Sequence, residues 1–280
     1  QTFPMSKTYS QVLCKAANEL KDIGIENPLN DSKIILAHIM GISKEKLLLL
    51  DLEVFPKSVE LKFFEKISLR KQHQPVSQII GYRSFWGRDF FINNKVLDPR
   101  PETEELIFHA LKKEFFSVLD LGTGSGAIII TLLLENKFAT GVGVDIDLEA
   151  LKVAKTNSKN FLLRKRLKFL QSNWCENVTE KFDLVISNPP YVDINEKDQY
   201  DPHLVKWEPY HALFSEDGGI AAYYTIAKQL KKVMQKSGLA LFEIGHSQAS
   251  VVQIFFTNEG FKTKVFKDMS GKERVIKVTF

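Results

Sequence analysis

Cysteine is nearly missing from this chain, with Cys14 and Cys175 the only two among 280 residues. That excludes a disulfide framework and any cysteine-rich zinc site. Long apolar runs are missing too. No stretch approaches the roughly 18 uninterrupted apolar residues of a membrane span, and the opening "QTFPMSKTYSQ" carries no apolar block of the signal-peptide type. The expectation is a cytoplasmic protein with no membrane partner. A strong charge of one sign is also lacking: the net charge is +4, and the first 75 residues hold 11 basic against 9 acidic side chains. Neither figure makes the electrostatic footprint of a nucleic-acid surface, so no direct nucleic-acid contact is expected. The basic run "RKRLK", Arg164 to Lys168, reads as a solvated helix end. His203 and His211 have no cysteine or acidic partner at ligand spacing, so no metal is expected. Gln1 to Pro4 precede Met5, which fits either added residues or the cut edge of a longer chain.

What is present is enough apolar residue, 44% of the chain, for a large core and a smaller one beside it. From Tyr9 to about His73 the apolar residues recur at helical spacing in "YSQVLCKAANEL", "DSKIILAHIM", "KEKLLLL" and "VELKFFEKISLR", with breaks at Asn27-Pro28, Gly41 and Pro56. Residues 1–75 therefore read as a small helical bundle. Residues 76–98 switch to aromatic and β-branched residues, with Gly81, Gly87 and Asn93-Asn94 as turn signals, and read as a β-hairpin linker.

Residues 99–280 alternate strand and helix patterns, from "FFSVLDLG" and "GAIIITLLLEN" through "TGVGVD", "LEALKVAKTNSKN", "LKFLQ" and "KFDLVIS". The helix "IAAYYTIAKQLKKVMQ", the strand "GLALFEIG" and the helix "QASVVQIFFTN" follow. Such alternation predicts an α/β domain with a Rossmann-like, mostly parallel sheet wound on both faces. The last two strands, "FKTKVFKD" and "RVIKVTF", are separated only by "MSGKE" and must close the sheet as an antiparallel pair, giving seven strands. The 28 residues from Tyr191 to Gly218 lack periodicity and read as a long lid or binding loop.

The turn "DLGTGSGA" follows the first of these strands and opens a helix, where glycines let a ligand approach the backbone and the helix N-terminus. Asp120, Gly122, Thr123, Gly124, Ser125 and Gly126 are the candidate cofactor-binding residues of this turn. Asp145 ends the next strand, 23 residues after Gly122, where a carboxylate accepts from both ribose hydroxyls. Gly122-x-Gly124-x-x-Ala127 also satisfies a dinucleotide fingerprint, so a nicotinamide cofactor competes. The closing hairpin and the motif that ends the fourth strand favour S-adenosylmethionine.

That motif is "NPPY", Asn188 to Tyr191, placed directly after the apolar "FDLVIS". Proline fixes its own φ and pushes its predecessor out of helical geometry, so Asn188 is held extended at the strand tip and two carbonyls lack competing N–H groups. A planar –NH2 group fits this edge. It donates one hydrogen to the Asn188 side-chain oxygen and the other to the Pro189 carbonyl, while Tyr191 packs on its face. Amide and exocyclic amino nitrogens are weak nucleophiles because their lone pairs are delocalised. Acceptors on both N–H bonds raise electron density on the nitrogen, and alignment with a sulfonium methyl supplies proximity. Asn188, Pro189 and Tyr191 are the candidate catalytic residues, and Pro190 joins them in holding substrate.

With these residues in hand the chain resembles the peptide chain release factor glutamine methyltransferases over nearly its whole length. The resemblance rests on "QPVSQIIGYRSFWG" (Gln74 to Gly87), "LDPRPETEELI" (Leu97 to Ile107), "VLDLGTGSGAI" (Val118 to Ile128), "VISNPPYV" (Val185 to Val192) and "FEIGHSQ" (Phe242 to Gln248). "NPPY" alone is shared with DNA adenine methyltransferases; "PRPETE" beside it is far more specific. The resemblance implies methylation of the glutamine of a Gly-Gly-Gln motif from S-adenosylmethionine, with S-adenosylhomocysteine as product and release factors as partners. It places Trp174 beside the adenine, Asn188 between cofactor and substrate, and the helical domain as the docking module. One departure is Asn173 in "QSNWC", where the family usually has an aspartate. Arg100 and Glu102 are expected at the substrate rim, although a helix N-cap role for Glu102, Thr103 and Glu104 accounts for those residues equally well. Two other readings stay open, an adenine-N6 nucleic-acid methyltransferase and a non-catalytic protein that binds a release factor or the ribosome.

Overall fold

A computed structural model describes residues 6–280; Gln1 to Met5, which the sequence reading assigned to the helical domain, lie outside the described residues. The chain divides into two units, 1–81 and 82–280. The division falls six residues beyond the boundary at 75 read from the sequence, and the hairpin belongs to the second unit.

The first unit contains helices α1 (Tyr9–Lys21), α2 (Pro28–Met40), α3 (Lys57–Lys71) and α4 (Val76–Ile80). Helix α1 starts on a reciprocal cap, in which the Thr8 hydroxyl accepts from the Gln11 amide and the Gln11 side chain accepts from the Thr8 amide. Pro28 opens α2, where its missing N–H costs nothing, and left-handed Gly41 ends it. Val12, Leu13, Ile35, Leu36, Phe63 and Ile67 meet in one buried cluster. The segment "KEKLLLL" forms a 3-10 stretch, Lys44–Leu50, that buries only Leu47. Its four leucines in sequence have no helical period, so they supply no continuous inward stripe.

The second unit opens with strands β1 (Tyr82–Phe85) and β2 (Arg88–Phe91), paired antiparallel. Trp86 and Gly87 form the two-residue turn, both at positive φ, as a twisted hairpin requires. This hairpin is shorter than read from the sequence, because Val76–Ile80 is helical. Then come α5 (Glu104–Ala110), β3 (Ser117–Leu121), α6 (Ala127–Glu135), β4 (Thr140–Asp145), α7 (Leu148–Asn160), β5 (Leu167–Gln171) and β6 (Phe182–Ser187). The 191–218 region is built of short pieces, not a structureless loop: β7 (Val192–Asp193), α8 (Pro202–Trp207), α9 (Tyr210–Leu213), β8 (Phe214–Ser215) and α10 (Glu216–Gly219). Strands β7 and β8 pair parallel to each other. The unit ends with α11 (Ala221–Val233), β9 (Met234–Glu243), α12 (Ala249–Asn258), β10 (Lys262–Lys267) and β11 (Glu273–Thr279).

The large sheet has seven strands in the order β10-β11-β9-β6-β3-β4-β5, with only β11 antiparallel to its neighbours. The mostly parallel α/β sheet with a closing antiparallel pair is thus present. Strands β3, β6 and β9 are buried on both faces, which is why they read as continuous apolar runs. From β3 the chain winds through β4 to β5 on one side, then returns to place β6 on the other side of β3. The carboxyl ends of β3 and β6 therefore flank the point where the winding reverses, the place where such sheets hold ligands.

Candidate active site

Register brings the two motifs together: Leu121, the last residue of β3, pairs with Ser187, the last of β6. The Ser187 hydroxyl donates to the Leu121 carbonyl at 2.5 Å. The glycine turn and "NPPY" consequently leave the sheet side by side. Above them lies a cavity of about 530 Å3, an ordinary size for a small-molecule site.

Gly122, Thr123, Gly124, Ser125, Asp145, Asn173, Trp174, Asn188 and Pro190 line this cavity, together with Thr103. Asp145 is buried; its Oδ2 accepts from the Gly124 amide at 2.9 Å and its Oδ1 from the Asp147 amide at 3.0 Å. The carboxylate thereby ties the turn after β3 to the end of β4. Burial raises its pKa, opposed first by those two backbone amides. His211, on α9, enters the cavity and stands 3.6 Å from Asp147. Trp174, at φ 51, puts its ring against Gly122, where a Cβ would meet ring atoms at 3.5 and 3.9 Å. Asn173 is exposed and its Nδ2 donates to Glu176 Oε1 at 3.0 Å, which leaves its amide oxygen turned from that partner.

The other candidates serve the cavity from outside its lining. Gly126 caps α6 at φ +80, and a Cβ there would stand 3.1 Å from Ile130 and 3.3 Å from Ala154. Its lack of a side chain lets α6 pack on α7. Asp120 is fully buried and accepts from the Thr123 hydroxyl at 2.7 Å, fixing the side chain that does line the cavity. Desolvation, with repulsion from Asp145, pushes its carboxyl from 3.8 up to about 7 against the Thr123 bond. A carboxyl that binds its proton more tightly when folded lowers stability as pH rises from about 4 to about 7, and the penalty then stays constant. The melting temperature is expected to fall between about pH 4 and pH 7, and to fall less in Asp120→Asn; equal slopes would contradict the assignment.

Pro189 is buried and Tyr191 half-buried, its hydroxyl pushed up to about 12 by burial and then by Glu243. The Tyr191 carbonyl accepts from Gln248 Nε2 at 2.8 Å, while Gln248 Oε1 accepts from the Gly245 amide at 3.0 Å. Gln248 thus pins the end of "NPPY" to the loop after β9. Gly219, at φ +77, passes so close that a Cβ would stand 2.1 Å from the Tyr191 carbonyl oxygen. Gly219→Ala is therefore expected to cost about 1–3 kcal/mol of stability by overpacking and to displace Tyr191. Thermal melts and kcat measured together check it; wild-type values in both would show that the close approach is dispensable.

Arg100 and Glu102 do not line the cavity. Arg100 Nη2 reaches both oxygens of Glu208, at 2.6 and 2.7 Å, and Glu208 is buried. The pair fastens the start of "PRPETE" to the end of α8. Burial raises the Glu208 pKa and Arg100 opposes it. The helix-cap reading of "ETE" does not hold for Thr103, which makes no cap hydrogen bond. Its hydroxyl oxygen instead accepts from Asn188 Nδ2 at 3.2 Å. Glu104 Oε1 accepts from the Trp86 amide at 2.7 Å, and Glu102 is exposed.

Glu208, Glu243 and Gln248 carry no role in the sequence reading, and Thr103 carries only that of a helix cap. Glu243 had a visible signal, a carboxylate at the end of the apolar strand "LALFE". Gln248 stood in the family stretch "FEIGHSQ" without a role, and Glu208 had no signal, since its partner lies 108 residues away.

A doubly wound sheet closed by an antiparallel pair, with a glycine turn, a buried aspartate at the end of β4 and a strand-tip amide around one cavity, fits the methyltransferase class. The model for the methyltransferase small domain matches residues 97–206, and that for the PrmC N-terminal domain matches residues 11–81. A solved methyltransferase from Pyrococcus furiosus shares the fold at TM-score 0.52 and 16% identity, over 78% of this chain and 96% of that one. The release factor glutamine methyltransferase of Cereibacter sphaeroides is 37% identical over 95% of this chain and 96% of its own length. The chain belongs to the release factor glutamine methyltransferase family. A "bifunctional methyltransferase" of Rickettsia felis is 35% identical over 97% of this chain, which spans only 58% of that relative.

Among the described residues no helix is long and apolar enough to cross a membrane, and no group of three or more His, Cys, Asp or Glu side chains is placed to hold a metal.

Proposed function

We propose that this chain transfers a methyl group from S-adenosylmethionine to the side-chain amide nitrogen of the glutamine in a Gly-Gly-Gln motif of peptide chain release factors. The observation that carries the reading is the Asn188 amide, which lines the cavity beside the glycine turn while its Nδ2 is held by Thr103. With Nδ2 so engaged, Oδ1 is the atom free to accept from a substrate –NH2 group. The Pro189 carbonyl accepts the second hydrogen, and Tyr191 covers the amide plane.

The cofactor fits the cavity in chemical kind. Among the cavity-lining residues, Asp145 would hold the ribose hydroxyls, Trp174 and the Asn173 oxygen would serve the adenine, and the Gly122 to Gly126 turn would take the methionine part. When bound, the cofactor supplies an electrophilic sulfonium methyl. The chain's residues bind and orient the amide nitrogen toward that methyl and shield the reaction from water. No strong base is needed before transfer, because the nitrogen sheds its proton after it is alkylated. Arg100 and Glu208 secure the rim over the site, and the helical unit docks the release factor. The reading implies a cytoplasmic enzyme of translation termination that acts on protein, not nucleic acid.

The test supplies radiolabelled S-adenosylmethionine with three acceptors: a release factor, the same factor with its motif glutamine changed to alanine, and adenine-containing DNA. Label on the intact factor alone is expected. Label on the DNA would turn "NPPY" into an adenine clamp, and no label on any acceptor would leave a binding protein.

A further inference from the structure

The stretch 192–216 leaves the domain and returns to it at one place. Tyr191 precedes β7, Asp217 to Gly219 follow β8 and Glu216, and β7 and β8 pair with each other. The two roots of the stretch therefore lie side by side. Its returning part forms cavity wall, through Ala212, Phe214, Ser215 and Glu216. The β7–β8 pairing joins only Val192 to Phe214 and Asp193 to Ser215, and so small a two-stranded unit does not hold itself together in water. The roots need another tie.

One side-chain amide supplies it. Gln248 Nε2 donates to the Tyr191 carbonyl at 2.8 Å and lies 3.4 and 3.3 Å from the carbonyl oxygens of Gly218 and Gly219. On the other side Gln248 Oε1 accepts from the Gly245 amide at 3.0 Å. An amide has two hydrogens to give: the Tyr191 carbonyl takes one, and the two glycine carbonyls share the other. Every partner is a backbone group of fixed polarity, so the amide fits in one orientation only.

The surroundings are cut to this side chain. A Cβ on Gly219 would stand 2.8 Å from Gln248 Nε2, and a Cβ on Gly245 would stand 2.8 Å from Gln248 Oε1 and 3.4 Å from the Tyr191 ring. Helix capping does not account for the residue. Gln248 occupies the N-cap of α12, where Ser, Thr, Asp and Asn are preferred, and its side chain makes no cap hydrogen bond. Asp217, Gly218 and Gly219 hold φ of 52, 72 and 77°, a tight reversal that brings both glycine carbonyls to the same amide.

We infer that Gln248 is a positioning residue for methyl transfer. It ties both roots of 192–216, and so holds Tyr191 over the substrate amide and keeps the 212–216 wall closed on the cofactor. What Tyr191 covers rests on the glutamine-methylation reading of the site; the tie itself is a property of the enzyme alone.

Gln248→Met tests this, because it keeps the length of the side chain and removes all its hydrogen bonds. In a first arm, hydrogen exchange of the enzyme without cofactor is followed by mass spectrometry. Peptides covering 192–219 are expected to exchange about tenfold faster in the variant through local opening, while those of β3 and β6 keep wild-type rates. In a second arm, steady-state methyl transfer to a release factor is measured. The expected kcat is about 10–100-fold lower, the cost of a misplaced reacting group. KM for the cofactor is expected to rise about threefold or more, which a mere loss of folded enzyme would not produce. The melting temperature should drop by less than about 4 °C, since Gly218 is exposed and water can reach the freed carbonyls.

Gln248→Glu keeps an acceptor for the Gly245 amide and loses the –NH2 group. It is expected to match Gln248→Met in both arms, and it carries the test alone should Gln248→Met fail to fold. Wild-type exchange over 192–219, or a kcat within about threefold of wild type, would overturn the inference. Faster exchange in the variants of an enzyme whose wild type methylates no release factor would instead remove the substrate reading and leave the tie in place.

Discussion

Replacing Asn188 by alanine is expected to lower kcat for methyl transfer about 10²–10³-fold, the usual cost of removing one preorganised polar group from a reacting centre. The fold should survive. Asn188 is only half-buried, and its side chain makes one hydrogen bond, to Thr103. The backbone geometry of the strand tip comes from Pro189 and Pro190, which the substitution leaves in place. Loss of rate without loss of melting temperature is therefore the signature. Near-normal turnover would remove the amide clamp from the account.

Asp145→Ala is expected to act on the cofactor instead. A carboxylate that accepts from two ribose hydroxyls makes two charge-assisted bonds, each worth about 1.5–3 kcal/mol, so affinity for S-adenosylmethionine should fall at least about 100-fold. The substitution also releases the Gly124 and Asp147 amides, which Asp145 now satisfies. The glycine turn then loses its tether to β4, which deepens the effect. Calorimetric titration separates this from a catalytic defect: at saturating cofactor much of kcat should return. Unaltered affinity would mean that the ribose lies elsewhere.

These two residues were legible in the sequence because each sits at the end of a strand that is itself legible. Strands β3, β4 and β6 announce themselves as short apolar runs closed by glycine, aspartate or "NPPY". The register of a parallel sheet then brings their carboxyl ends to one edge. The 191–218 region could not be read in that way. Its strands β7 and β8 are two residues each and exist only because they pair with one another across intervening turns. The start of β9 was hidden for a related reason: Met234 completes the apolar pattern of α11, yet pairs with Phe182 on β6 and so begins the strand directly.

Side-chain partnerships were the least visible level. Thr103 in "PRPETE" has the look of a helix cap, because serine and threonine before acidic residues usually cap. Its hydroxyl oxygen accepts from Asn188 Nδ2, 85 residues onward, and no local pattern encodes that. Arg100 likewise looks like a rim residue awaiting substrate, while both its short contacts are to Glu208. Gly126 belongs to the glycine motif by spacing and to helix packing by position. The sequence thus displays the groups that line the cavity more readily than the groups that hold them.

The central claim is that the cavity presents a substrate amide nitrogen to a sulfonium methyl. Its most direct measurement is site-resolved mass spectrometry of a release factor incubated with the enzyme and S-adenosylmethionine. The account predicts a single methyl group on the side-chain nitrogen of the glutamine in Gly-Gly-Gln, appearing about 10²–10³-fold more slowly when Asn188 is alanine. A methyl group on any other residue, or an unmodified factor beside an enzyme that binds the cofactor, would contradict it.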